Sequence, residues 1–155
     1  MYISVIGGSK CSKEIYELAY EVGREIAKRK AILVCGGLSG VMDASAKGAK
    51  EAGGITVGIL RGDTRVGASK YLDVSIPTGM GEARNVLVVK AADAVIAIGG
   101  EYGTLSEIAH SLKMNTPVIG LETWDIGEDE FGKTRIIKAD DPISAVEKAY
   151  ELAKE

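Results

Sequence analysis

Two patterns in this chain could do phosphate chemistry. The first is "GEDEFGKT", Gly127 to Thr134, which matches G-x-x-x-x-G-K-[ST], the loop that cradles the phosphates of ATP or GTP. Such a loop works where it leaves a buried strand and opens a helix, so that backbone N–H groups face the phosphates. Here the next residues are "RIIKADDP", which read as a short strand and a turn. Glu128, Asp129 and Glu130 also place three carboxylates where a triphosphate would sit, and like charges at that range repel. The segment is expected to be a turn before a late strand, not an NTP site.

The second pattern is a set of glycines at the ends of apolar runs: Gly7-Gly8, Gly36-Gly37 and Gly99-Gly100. Two of these pairs continue as G-G-x-x-G, in "CGGLSGV" with Gly40 and in "IGGEYGT" with Gly103 and Thr104. Glycine lets backbone approach a ligand closely, and a helix N-terminus beyond it offers free N–H donors and a field that favours an anion. A single such loop is what any tight strand-to-helix turn would use; two at corresponding strand ends point to a shared ligand crevice. No G-x-G-x-x-G is present, so a standard NAD site is not expected.

The elements that must position these loops alternate along the chain. "YISVIGG", "AILVCGG", "ITVGIL", "YLDVSIP", "AVIAIGG" and "PVIGL" read as strands. Between them Ile15, Leu18, Ala19, Val22 and Ile26 mark one helix face, and Leu105, Ile108, Ala109 and Leu112 another. Ser39 is expected to cap a helix running to about Ala52, a further helix is expected over Glu82 to Ala92, and Asp141 with Pro142 should start the last one. Continuous apolar strands between helices predict an α/β, Rossmann-like, doubly wound and mainly parallel sheet of about 6–7 strands, as a single domain over 1–155. In such a sheet ligands bind beyond the C-terminal strand ends.

Composition narrows the function classes. The net charge of -3 is mixed in sign, with no basic run longer than "KRK", which argues against a nucleic-acid surface. Cys11 and Cys35 form no metal or disulfide motif, and His110 is the only histidine, so no metal site is expected. No apolar run approaches the roughly 18 residues that span a membrane, and "MYISVIGG" opens as a strand without a leader pattern. A reducing cytoplasm is the expected location. Glutamine is absent and asparagine occurs only at 85 and 115, a weak thermophile signature that bears on stability alone.

At "PTGMGEARN" (Pro77 to Asn85) and then "IGGEYGTLSEIAHSLKMNTPVIGL" the chain resembles the LOG-like superfamily, often labelled lysine decarboxylases, whose signature is P-G-G-x-G-T-x-x-E. It is most similar to the small branch containing the molybdenum cofactor carrier-like proteins, and "GGLSGVMDASAKGAKEAGG" matches that branch's first glycine loop. The resemblance covers the chain to about Leu121. It implies a Rossmann-like fold, usually dimeric, that binds a nucleotide-type ligand, and in the enzymatic branch cleavage of a nucleoside 5'-monophosphate to free base and ribose 5-phosphate. By position Arg84 matches the functional arginine, Glu107 the glutamate closing the signature, and Gly99, Gly100, Gly103 and Thr104 the phosphate loop. Ile98 replaces the signature's proline, and "MGEARN" lacks the histidine and lysine of the enzymes' M-H-x-R-K segment. No lysine sits in a pyridoxal phosphate context, so the decarboxylase label has no chemical support.

Glycosidic cleavage passes through a cation-like sugar, so Glu107 could stabilise charge or orient water, with Glu82 or Glu101 as a second carboxylate. Arg84 could grip the phosphate or hold Glu107. The spacing Thr104-x-x-Glu107 is equally that of a capping box. Tyr102 could stack on a base or merely cover it; His110 is expected to be packed or at a subunit contact, and Cys35 to be buried in a strand. The reading is therefore a protein binding a phosphorylated, nucleoside monophosphate-like small molecule through Gly7, Gly8, Gly36, Gly37, Gly40, Gly99, Gly100, Gly103 and Thr104, as a homodimer or higher homo-oligomer. It is either a phosphoribohydrolase using Arg84 and Glu107 with no cofactor required, or a non-catalytic carrier of a nucleotide-like cofactor such as molybdenum cofactor.

Overall fold

A computed structural model describes residues 1–133 and 135–153; Thr134, the last letter of "GEDEFGKT", lies outside the described residues, as do the last two of the 1–155 span. Seven strands run in the order β4-β3-β2-β1-β5-β6-β7, and every neighbouring pair is parallel. In chain order the elements are β1 (Tyr2–Gly7), α1 (Lys13–Lys28), β2 (Ile32–Cys35), α2 (Val41–Glu51), β3 (Ile55–Leu60), β4 (Val74–Pro77), a 3-10 turn (Gly81–Ala83), α3 (Arg84–Lys90), β5 (Ala94–Ile98), α4 (Tyr102–Lys113), β6 (Val118–Leu121), β7 (Ile136–Lys138) and α5 (Pro142–Leu152). This is the α/β, Rossmann-like sheet that the alternating apolar runs predict.

The central strands β1, β2, β5 and β6 are mainly apolar because both faces are covered, whereas the edge strand β4 keeps Val74 and Ile76 exposed. On β1 and β5 the residues Ile3, Val5, Ile96 and Ile98 enter one core with α1, α2 and α5, among them Val22, Ile26, Ala44 and Val146. Ile6, Val95 and Ala97 point the other way, into a second core with Val88 and Val89 of α3 and Ile108 of α4. Ser4 also faces α3, and its hydroxyl donates to the Val88 carbonyl at 2.5 Å, which satisfies the one polar side chain in mid-β1.

Local expectations fare unevenly. Asp141 caps α5 by accepting from the Ser144 N–H at 2.7 Å, with Pro142 at the first helical position. Ser39 is not the cap of α2. That helix starts one residue later, after Gly40 at φ 63°, and Ser39 instead donates to the Ser9 carbonyl at 2.9 Å. The expected Glu82 to Ala92 helix is a 3-10 turn and then α3 from Arg84 to Lys90, because Gly79 and Gly81, both at positive φ, hold the chain in a turn first. "YLDVSIP" is a strand only from Val74. Ala109 and His110 on α4 are exposed, so neither the inward position expected of Ala109 nor the packed one considered for His110 is found.

Gly127 to Lys133 form a turn closed on itself. Asp129 accepts from the N–H groups of Phe131 and Lys133, at 2.9 and 3.0 Å, and pairs with Arg135. The donors that a phosphate would need are therefore held by the loop's own carboxylate, and the next element is β7 rather than a helix.

Candidate functional site

The chain runs β1-to-β4 toward one edge and β5-to-β7 toward the other, so the strand order reverses between β1 and β5. The loops leaving these two strands diverge, and a crevice must open between them at the C-terminal end of the sheet. A cavity of about 550 Å³ lies there, lined by Gly7 to Lys10 after β1, Gly36, Leu38 and Ser39 after β2, Arg61 after β3, Glu82 to Asn85 without Ala83 around the start of α3, and Glu101, Gly103, Thr104 and Glu107 at the start of α4. Val5, Ile6 and Met42 complete its wall.

The candidate residues divide into two groups. Gly7, Gly8, Gly36, Gly103, Thr104, Arg84 and Glu107 line the cavity. Gly37, Gly40, Gly99 and Gly100 shape the turns behind it. Gly100, at φ 97°, would bring a Cβ within 2.2 Å of the Thr104 Oγ1, and Gly40 would bring one within 2.2 Å of the Gly8 carbonyl oxygen. Gly103 alone of the lining glycines has nothing within 4 Å of such a Cβ, so its missing side chain leaves open space over the first turn of α4.

The α4 N-terminus is bare. Its cap residue, Glu101, is extended and makes no side-chain cap bond, and Leu105 is the first residue to bond back along the helix. Among the described residues nothing accepts from the N–H groups of Tyr102, Gly103 or Thr104. Because the helix begins at Tyr102, Thr104 already lies inside the first turn, and the Thr104–Glu107 capping box is not formed. Glu107 instead sits one turn further in, 9% exposed, with no side-chain hydrogen bond to any described residue. Burial drives its carboxyl up to about 8, against the opposing pull of Arg84 and with a smaller contribution from Glu82.

Arg84 is 6% exposed rather than a solvated helix residue. Its Nη1 donates to the carbonyls of Gly36 at 2.6 Å and Ile59 at 2.8 Å, so it ties α3 to the ends of β2 and β3. It makes no ion pair with Glu107 within 4 Å among the described residues, and its Nε is buried without a partner. Desolvation lowers its pKa from the ordinary arginine value, against the opposing pull of Glu107 and Glu82. Cys35 is fully buried, and burial pushes its thiol up to about 12, which excludes a thiolate nucleophile. Tyr102 is 80% exposed and leans on Trp124, with ring centroids 5.8 Å apart, and Trp124 donates to the Glu101 carbonyl.

Lys10 and Arg61 at the cavity rim have no motif to announce them. Their signal is positional, since each lies within three residues of the C-terminal end of a strand that borders the crevice. Arg61 pairs with Glu82 at 3.2 Å across the mouth. Among the described residues no helix is long and apolar enough to cross a membrane.

The match to known proteins spans this whole arrangement. The family described as the SLOG cluster4 family matches residues 1–151. An uncharacterised protein of Archaeoglobus fulgidus is 48% identical over 122 residues, which cover 79% of this chain and 80% of that one. The molybdenum cofactor binding protein of the phototrophic bacterium Rippkaea orientalis superposes with a TM-score of 0.90 at 34% identity, over 97% of this chain and 96% of that one. The molybdenum cofactor carrier protein of Chlamydomonas reinhardtii does so with a TM-score of 0.89 at 34% identity, over 99% of both chains.

Proposed function

The chain belongs to the SLOG cluster4 family, and from that premise and the chemistry of the cavity we propose that it is a binding and carrier protein for a phosphorylated, nucleotide-like cofactor of the molybdenum cofactor class. The observation that carries this reading is the bare first turn of α4, whose free N–H groups open onto the cavity at Gly103. Those donors suit a phosphate, and Lys10 and Arg61 at the rim add charge for it. The volume of about 550 Å³ falls in the range of small-molecule and cofactor sites. The molybdenum cofactor binding protein of Rippkaea orientalis and the molybdenum cofactor carrier protein of Chlamydomonas reinhardtii, which superpose on nearly the whole chain, support the choice of ligand class.

The phosphoribohydrolase reading ranks second. In its favour an unpaired carboxyl, Glu107, lines the same cavity. Against it, a carboxyl raised to about 8 is mostly protonated at neutral pH, and a neutral acid does not stabilise a cation-like sugar by charge. The reading extends to a cytoplasmic homo-oligomer, for which the support is two free thiols and the exposed apolar residues Val74, Ile76 and Leu87 on and beside β4 and α3.

The test is retention of molybdenum cofactor, released from a molybdoenzyme, through gel filtration with this protein, detected as the fluorescent oxidised pterin. A panel of nucleoside 5'-monophosphates is assayed in parallel for free base. Co-elution of pterin without base release supports the carrier. Base release that Glu107→Gln abolishes would instead establish the hydrolase.

A further inference from the structure

A helix end is ordinarily held by a side-chain cap, which accepts from the N–H groups of the first turn. Two helices of this fold follow that rule: Ser12 accepts from the Ile15 N–H at the start of α1, and Asp141 from the Ser144 N–H at the start of α5. The same device at α4 would occupy donors that the phosphate needs. Glu101 makes no such bond, so the start of α4 has to be held in another way.

The loop that leaves β6 holds it from behind, through carbonyls. Thr123 donates its hydroxyl to the Gly99 carbonyl at 2.6 Å, and the Trp124 indole N–H donates to the Glu101 carbonyl at 3.1 Å. The Gly99 N–H in turn donates to the Leu121 carbonyl at 3.4 Å. The Glu101 carbonyl also takes the first bond of the helix, from the Leu105 N–H at 3.0 Å, so both of its acceptor positions are filled. Trp124 is itself anchored, since its ring packs against the core of α3 and α4 and lies 5.8 Å from that of Tyr102.

We propose that Thr123 and Trp124 are positioning residues for the phosphate-binding turn. They fix the segment from Gly99 to Glu101 by its carbonyls, and so set the direction of the α4 donors without occupying any of them. The inference rests on the reading of the cavity as a phosphorylated-ligand site. Neither residue lines the cavity; their effect reaches the ligand through the loop. Without these bonds the ligand has to order the loop itself, and that cost is subtracted from its affinity.

Titration with inorganic phosphate, followed through the backbone amide NMR signals of Gly103 and Thr104, measures the affinity of the turn itself, and thermal melts measure stability beside it. Thr123→Val keeps the shape of the side chain and removes the hydroxyl. Thr123→Ser keeps the hydroxyl and removes the methyl that lies over Gly120. Trp124→Phe keeps an aromatic ring against Tyr102 and removes the indole N–H. Thr123→Val and Trp124→Phe are each expected to weaken phosphate by roughly 2- to 10-fold, the worth of one hydrogen bond. Thr123→Ser should bind as the parent does even where its melting temperature falls. An affinity that drops as far in Thr123→Ser as in Thr123→Val would make the residue a packing element and overturn the proposal. Parent affinity in both Thr123→Val and Trp124→Phe overturns it as well and leaves the phosphate site standing. If phosphate shifts neither signal in the parent, the site and the proposal fall together.

Discussion

The Arg84 guanidinium reaches from the first residue of α3 to the Gly36 carbonyl at 2.6 Å, on the far side of the cavity floor. A Cβ on Gly36 would lie 2.5 Å from the Arg84 Nη1 and 2.7 Å from the Met42 Sδ, so a larger residue there would have to displace the clamp. An arginine that a resemblance places in the chemistry is thus also a clamp between α3 and two strand ends. Whatever it contributes to a ligand comes through the remaining face of its guanidinium and its charge.

Removing that clamp should cost stability before it costs binding. Arg84→Ala leaves the Gly36 and Ile59 carbonyls without their donor, a loss of about 2–4 kcal/mol. Arg84→Lys, which can reach one of them, should lose about half as much. Urea unfolding measures both, and an Arg84→Ala variant within about 0.5 kcal/mol of the parent would show that the clamp carries no load.

Glu107 predicts a pH dependence of known sign. Its folded pKa of about 8 lies above the ordinary 4.5, so the native state holds a proton that the unfolded state releases. The acid's full contribution is present below about pH 4.5 and is lost as the pH rises toward 8. Glu107→Gln should flatten the fall in melting temperature over that window and be the more stable protein at pH 8.5. Parallel curves for parent and variant would refute the raised pKa.

Gly100 and Gly103 should respond in opposite ways to the same substitution. Gly100→Ala puts a methyl against Thr104 at a φ of 97° and should destabilise the fold. Gly103→Ala meets nothing within 4 Å, and alanine in place of glycine favours a helix by up to about 1 kcal/mol. It should therefore hold or raise the melting temperature while weakening the phosphorylated ligand, because the methyl intrudes on the open first turn. Unchanged affinity in Gly103→Ala would move the phosphate away from this turn.

The Gly127–Lys133 turn should be inert toward nucleotides. Lys133→Ala is expected to leave ATP and GTP binding at background, as in the parent. Asp129→Ala removes the acceptor of the Phe131 and Lys133 N–H groups and should loosen the turn by about 1 kcal/mol, read as faster amide exchange there. ATP hydrolysis abolished by Lys133→Ala would show the turn to be a nucleotide site after all.

Much of the protein is already readable in its residues. Apolar runs ending in paired glycines specify parallel strands covered on both faces, because only that setting removes the polar alternation of a solvated sheet. The carboxylates inside "GEDEFGKT" and the strand-like residues after it argue against a phosphate cradle, and the resemblance to the LOG-like superfamily marks Arg84, Gly103 and Glu107 as site residues. Spacing could not decide which of several local options each residue takes. Ser39 and Thr104 are good caps by type, yet α2 starts after Gly40 and α4 after Glu101, because the positions of Gly8, Ser9 and the strand ends set where each helix can begin. The glycines look alike in the sequence; whether one shapes a turn, as Gly100 does, or leaves room, as Gly103 does, depends on which atoms from distant segments surround it. Lys10 and Arg61 line one cavity only because β1 and β3 end on the same side of the sheet. Burial is likewise a property of the assembled fold, so the neutral state of Glu107 at pH 7, which decides what it can do chemically, came from tertiary structure alone.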